Sequence, residues 1–227
     1  MTTSTTHPSK LALFSFLGAI AIISLQSKTH GSTIILGNLD VPNDGLANPI
    51  GTSATNPFGR IFRAVAFTMP DESFFLEGVS VVLSGFLGGN GTPAVSLFDD
   101  DGAGLGPGSL YASLVGVPPS PFLGISTTSF EPSAPVILEA SQTYWLIVDD
   151  AGIGQYGWVI TDPVTPPTGA ARLEMTLVTS NSGTLFNLTD SWNQFAIVGT
   201  PVPEPSTAAM GVLCLLPALA RRKRRRF

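Results

Sequence analysis

The sequence predicts an all-β protein, a β-sandwich of jelly-roll type, and three observations carry that expectation. Only 12% of the 227 residues are charged while 44% are hydrophobic. The chain holds 24 glycines and 19 prolines, which cut it into short runs. Those runs are rich in β-branched residues and alternate with a period of two, the repeat that sends successive side chains to opposite faces of a sheet. From Ser32 to Gly199 no amphipathic helix of useful length can be traced, and no internal repeat of fixed period is convincing. Helices are expected only at the two ends.

Taken in order, Met1 to Lys10 is polar with one positive charge, Leu11 to Leu25 is an apolar core of 15 residues, and small residues follow. That is the layout of a secretory signal peptide. Cleavage fits after Ser27 or after Gly31, and residues 1–31 are taken as the signal; a retained membrane helix is the alternative. The body then offers strands at Thr33–Leu36, Arg60–Thr68, Gly78–Phe86, Ala94–Phe98, Ser109–Val115 and Ser126–Phe130. A second set follows at Pro135–Glu139, Thr143–Asp149, Tyr156–Thr161, Ala171–Thr179, Leu185–Leu188 and Trp192–Val198. Turn clusters such as Gly88-Gly89-Asn90-Gly91, Gly102 to Gly108 and Pro163 to Gly169 separate them. Alternation supports the assignment: Val79, Val81 and Leu83 oppose Ser80 and Ser84, and Tyr144, Leu146 and Val148 oppose Trp145 and Ile147. Residues 32–199 form one domain, large enough to bury a core.

Composition excludes whole classes of chemistry. Between Ser32 and Ser206 stand only Arg60, Arg63 and Arg172 against all 16 acids, a net charge of −13 hidden by the −5 of the full chain. Such a surface keeps the protein soluble, disfavours nucleic acid and leaves bound cations possible. Both histidines, His7 and His30, and the single Cys214 lie outside this body. It therefore cannot hold a Ser-His-Asp or Cys-His arrangement, a zinc site of imidazole and thiolate, or a disulfide. With cleavage after Gly31 it holds no lysine either, which removes Schiff-base and P-loop chemistry.

Residues 200–227 are organised differently. Val202-Pro203-Glu204-Pro205-Ser206-Thr207 is followed by an apolar span, 208–220, and by Arg221, Arg222, Lys223, Arg224, Arg225 and Arg226. Thr207 to Ala220 is 14 residues, short of the roughly 20 that cross a bilayer core as a helix. Val212, Leu213, Leu215, Leu216 and Leu219 each favour insertion by only about 0.3 to 0.6 kcal/mol. A temporary hold results. The basic cluster fixes the cytoplasmic side, which leaves the body outside the membrane. The alternatives are an ordinary tail anchor, which would be longer, and a basic tail for nucleic acid, which would sit on a basic domain.

This terminus resembles the PEP-CTERM sorting signal of Gram-negative bacterial exoproteins. The resemblance implies recognition and cleavage by an exosortase at the cell envelope. The body also carries a resemblance. Ala94-Val-Ser-Leu-Phe-Asp-Asp-Asp-Gly with Pro107-Gly-Ser-Leu-Tyr-Ala-Ser-Leu, then Leu138-Glu-Ala-Ser-Gln-Thr-Tyr-Trp-Leu-Ile-Val-Asp and Tyr156-Gly-Trp, is similar to the choice-of-anchor R domain. That family implies a surface β-sandwich attached through one of several C-terminal anchors, while the region from Thr161 to Leu185 carries no motif of it.

Within the body, Asp99, Asp100 and Asp101 before Gly102 make the densest set of oxygen ligands. Calcium favours acidic loops with glycine turns, and Asp149 and Asp150 could join if the strands bring them close. The EF-hand pattern fails, because Leu110 stands where its twelfth-position glutamate belongs, and a solvated turn is the simpler reading. Tyr144, Trp145, Tyr156 and Trp158 offer either an aromatic platform for sugar rings or sandwich core, and core is the expectation. Tyr156 and Trp158, two apart on one strand, share a face. Paired carboxylates of a glycoside hydrolase would be identified only by their separation. Asn187-Leu188-Thr189 and Asn90-Gly91-Thr92 fit the glycosylation pattern, in a bacterial exoprotein most often by chance.

The expected protein is therefore an exported, non-enzymatic envelope or matrix protein. Its partners are signal peptidase and the Sec machinery, an exosortase, extracellular polysaccharide and, in passing, the membrane; no cofactor is expected beyond the calcium alternative. The second reading is a carbohydrate-binding module, and the third a two-carboxylate glycosidase.

Overall fold

The computed structural model describes residues 31–52, 59–85, 92–103, 106–116, 124–152, 154–180 and 185–203. The signal segment before Gly31, Glu204, Pro205, Ser206, the apolar span and the basic cluster lie outside the described residues. Within them the protein is all-β: β1 (Thr33–Gly37), β2 (Ala47–Gly51), β3 (Arg63–Thr68), β4 (Phe74–Gly85), β5 (Pro93–Asp100), β6 (Pro107–Gly116) and β7 (Ile125–Pro132). Then come β8 (Ile137–Leu138), β9 (Thr143–Asp150), β10 (Gln155–Val159), β11 (Arg172–Ser180), β12 (Leu185–Leu188) and β13 (Phe195–Pro201).

All strand pairs are antiparallel and belong to one curled sheet, ordered β1-β13-β4-β7-β6-β5-β9-β3-β11-β12. The curl has a physical cause. The inward residues of these strands are apolar, and a twisted sheet buries one apolar face by wrapping around it. The long β4 is the spine: its first part pairs with β13, its last part with β10, and its other edge with β7 and β8. β10 in turn pairs with β2. The end of β2 meets Ile61, two residues before β3, where Gly51 N–H donates to Ile61 O at 2.7 Å and Ile61 N–H donates to Gly51 O at 3.0 Å. Through this bridge the curled sheet meets itself, although β3 proper pairs with β9 and β11 and not with β2.

β2 is the strand the sequence did not announce. Asn48-Pro49 reads as a turn, and a proline is tolerated in a strand only at an edge; apart from β10, β2 meets a neighbour only at the Gly51–Ile61 bridge. The other strands fall close to their expected places, with Arg60–Thr68 beginning later, at Arg63.

One core fills the curl. Val79, Val81 and Leu83 turn into it from β4, while Ser80 and Ser84 on the opposite face stay partly exposed. On β9, Tyr144, Leu146 and Val148 join the same core, whereas Trp145 and Ile147 pack on the outer face with Ala64, Ala66 and Leu177. That double coverage is why β9 reads as a continuous hydrophobic run.

Gly51 holds the closing bridge in a left-handed conformation, φ +94°, and a Cβ there would run into the Gly154 carbonyl oxygen. Gly51→Ala is expected to destabilise the fold by about 2–3 kcal/mol, since it adds a strained φ to a backbone clash. Urea unfolding of both proteins checks this, through the shift of the midpoint.

Candidate functional site

The strands put the conspicuous side chains in three separate places. Tyr156 and Trp158 do share a face of β10, and that face is the interior: they are 1% and 0% exposed. Trp158 Nε1 donates to Gln194 O at 2.8 Å, and its ring meets Phe195 edge-on with centroids 6.0 Å apart. Tyr156 O–H donates to Asp149 O. Neither ring presents a face to a sugar, so the glycan-platform alternative does not hold at these positions.

Asp99, Asp100 and Asp101 stand at the end of β5, but their carboxylates diverge. Asp99 Oδ1 accepts Ser109 N–H across the turn to β6. Asp100 Oδ1 accepts Trp145 Nε1–H at 2.9 Å and its Oδ2 accepts Gly102 N–H at 3.1 Å. Asp101 Oδ1 accepts Ala103 N–H at 2.8 Å. Nor do Asp149 and Asp150 approach them. Asp99 lies opposite Tyr144 and Ala94 opposite Asp149, so the two acidic pairs sit five residues apart on the ladder, roughly 16 Å at strand rise. Among the described residues no group of three or more metal-ligating side chains converges. Here Asp99, Asp100 and Asp101 serve as acceptors for the backbone of their own turn and for Trp145.

What Asp99 and Asp100 do line is an open cleft of about 610 Å³ at this end of the ring, shared with Tyr111, Glu139, Gln142 and Tyr144. Its floor is aromatic: the Tyr111 and Tyr144 ring centroids are 4.9 Å apart at 55°. Tyr144 is 3% exposed and its oxygen accepts Glu139 N–H at 2.9 Å. Tyr111 is 40% exposed and its O–H donates to Ile137 O at 2.5 Å. The turn carrying Glu139 is fixed by Ser141, whose φ is +59°, whose N–H donates to Pro70 O and whose Oγ donates to Asp71. Ser73 Oγ donates to Glu139 at 3.3 Å. The cleft therefore presents a wall of acceptors beside one exposed ring. It can receive hydroxyl or ammonium donors.

Sequence reasoning placed Asp99, Asp100 and Tyr144 among the residues of interest but passed over Tyr111 and Glu139. Tyr111 stands between Leu110 and Ala112 and is exposed on the same face of β6 as Ser113 and Val115; an aromatic at an outward position was the available signal.

At the other end of the ring Arg60 pairs with Asp149, Nη2 to Oδ2 at 2.8 Å and Nε to Oδ1 at 2.9 Å. Burial still holds the Asp149 carboxyl above the usual range, against the lowering pull of the Asp150 N–H and Arg60. Among the described residues no helix is long and apolar enough to cross a membrane. The chain matches no protein-family model, and no match is found among curated proteins.

Burial pushes the Tyr144 hydroxyl well up, and burial with the nearby Asp149 and Asp150 charges does the same for Tyr156. A phenol whose folded pKa is raised contributes stability fully present below its unfolded pKa, about 10, and lost as pH rises beyond it. Thermal stability is therefore expected to hold to about pH 10 and then decline. Absorbance at about 295 nm during an alkaline titration should show two tyrosinates appearing together with unfolding, not before it.

Proposed function

We propose that the protein is an exported, non-enzymatic component of the bacterial envelope or extracellular matrix, delivered and processed through its C-terminal signal by an exosortase. The observation that carries this reading is the layout of β13. That strand is held by β1 on one side and β4 on the other, and Val202 N–H donates to Ser73 O at 2.8 Å. Pro203, the first proline of Pro203-Glu204-Pro205, follows at once. All thirteen strands are complete before Glu204, so cleavage at or after the motif leaves the sheet whole. Thr33 pairs with Gly199, which brings the proposed signal-peptide junction beside the departing tail.

In this reading the curled sheet is a flattened, jelly-roll-like sandwich of the choice-of-anchor kind, and 208–220 is a helix that holds the membrane until processing. The absence of histidine, cysteine and lysine between Ser32 and Ser206 supports a structural role over catalysis. The intact mass of the protein recovered from its native surface and medium tests the proposal. The expected species lacks the residues before about Ser32 and those beyond about Pro205; a mass that retains 208–227 would sink it.

A second reading, carbohydrate binding, is favoured by one observation, the exposed Tyr111 ring beside Asp99 and Glu139. A net charge of −13 between Ser32 and Ser206 points to neutral or amino sugars. Tyr111→Ala is expected to weaken binding to such a polysaccharide about tenfold, equivalent to ~1.4 kcal/mol, in affinity electrophoresis, while Tyr111→Phe retains most of it. Equal mobility of wild type and Tyr111→Ala would remove the cleft from consideration.

A further inference from the structure

A second cavity, of about 240 Å³, lies on the outer face of the sheet, with Trp145, Ala66 and Met175 on one side and Thr68, Arg172 and Glu174 on the other. It shares Asp100 and Thr143 with the acidic cleft, so the two adjoin at the rim of the ring. The ladders explain this placement. Successive residues of β9 take opposite faces, and Tyr144 belongs to the inner core while Trp145 belongs to the outer cluster. Thr143 shares the outer face, opposite Thr68, and Thr68 lies opposite Arg172. That row sits one outward position nearer the rim than the row of Trp145, Ala66 and Met175.

The run is long and polar. From β6, which carries Tyr111, to β11, which carries Arg172, the order is β6-β5-β9-β3-β11. Four strand spacings along the sheet cover roughly 19 Å, more than a single sugar ring fills. The Thr143 and Thr68 hydroxyls are 2.8 Å apart, and Thr68 Oγ1 donates to Glu174 Oε1 at 2.5 Å. Arg172, whose side chain is 77% exposed, donates to the same oxygen through Nη2 at 2.7 Å and Nε at 3.0 Å. Asp99, Asp100, Glu139 and Glu174 face Arg172 as the one cation on the two cavities, a net charge of −3. Glu174 already neutralises that guanidinium.

We propose, resting on the carbohydrate reading of the cleft, that the two cavities together hold one stretch of an extended polysaccharide of amino sugars with free amines. The chain lies beside Tyr111, crosses the rim over Asp100 and Thr143, and continues along Glu174 and Met175. Carboxylates accept strong charge-assisted hydrogen bonds from ammonium groups, and the exposed Tyr111 ring adds cation–π attraction. Threonine hydroxyls both donate and accept, as sugar hydroxyls require. A polyuronate would meet like charge along the whole run.

The test is calorimetric titration of the protein purified from its native host with the dimer and hexamer of β-linked glucosamine, at about 0.15 M salt so that diffuse attraction is screened. The N-acetylated hexamer and tetralysine serve as comparators. The glucosamine hexamer is expected to bind at least tenfold tighter than the dimer and than either comparator. Glu174→Gln, nearly the same shape, should weaken the hexamer at least fivefold and leave the dimer unchanged, which also shows the fold intact. Tyr111→Ala should weaken both. No binding at either length, or binding indifferent to Tyr111→Ala, would remove the carbohydrate reading and this inference with it. Tyr111-dependent binding with dimer and hexamer equal, or with Glu174→Gln affecting neither or both alike, would leave the cleft a sugar site and overturn the longer groove. Equal binding of the N-acetylated hexamer or of tetralysine would overturn the amino-sugar assignment.

Discussion

Everything in this molecule depends on a pair of backbone hydrogen bonds that let the sheet meet itself. Between Gly51 and Ile61, as also between Gly37 and Thr168, the curled sheet meets itself and encloses its apolar side. An edge strand presents a row of unpaired N–H and C=O groups, and the bridge ties the end of β2 to the residues leading into β3 and draws the inward faces together. The bridge needs a residue free to take φ near +94° with no side chain in the way. Only glycine meets both conditions without strain. With the ring closed, Trp158 and Tyr156 of β10 share one interior with Leu146 and Val148 of β9.

Most of the sheet was legible because its strands obey local rules. Alternation in β4 and β6, the aromatic and β-branched run of β9, and glycine or proline clusters between them are signals a strand carries in its own residues. β2 was not legible for the opposite reason. Nothing in Ala47-Asn48-Pro49-Ile50-Gly51 announces a strand, and it becomes one because β10 supplies a ladder and Ile61 a closing partner. The pairing order could not be read either, since register is set across the sheet rather than along the chain.

The same distinction separates the sites. Asp99 and Asp100 were visible as a cluster, but only the turn to β6 and the indole of Trp145 reveal where their oxygens point. Asp149 and Asp150 were visible as a second cluster, and the ladder between β5 and β9 carries them to the far end. Tyr156 and Trp158 read as either platform or core; the ring decides for core. Arg63 stood in plain view as one of three body cations within an otherwise apolar strand. Its burial depends on Val148 and Val178 of the flanking strands, which no local pattern connects to it.

The two ends of the ring are consequently unlike, and the tail leaves from only one of them. Val202 is bonded to the Ser73 segment, whose hydroxyl also holds Glu139 at the acidic cleft. A protein tethered by that tail would stand with the cleft toward its anchor and the Arg63 end outward. Tension on the tether would run along the axis of β13, parallel to its ladders with β1 and β4 rather than across them. Such loading shears many hydrogen bonds at once instead of peeling them one by one. A domain attached in that way would be loaded through the geometry that best resists being pulled apart.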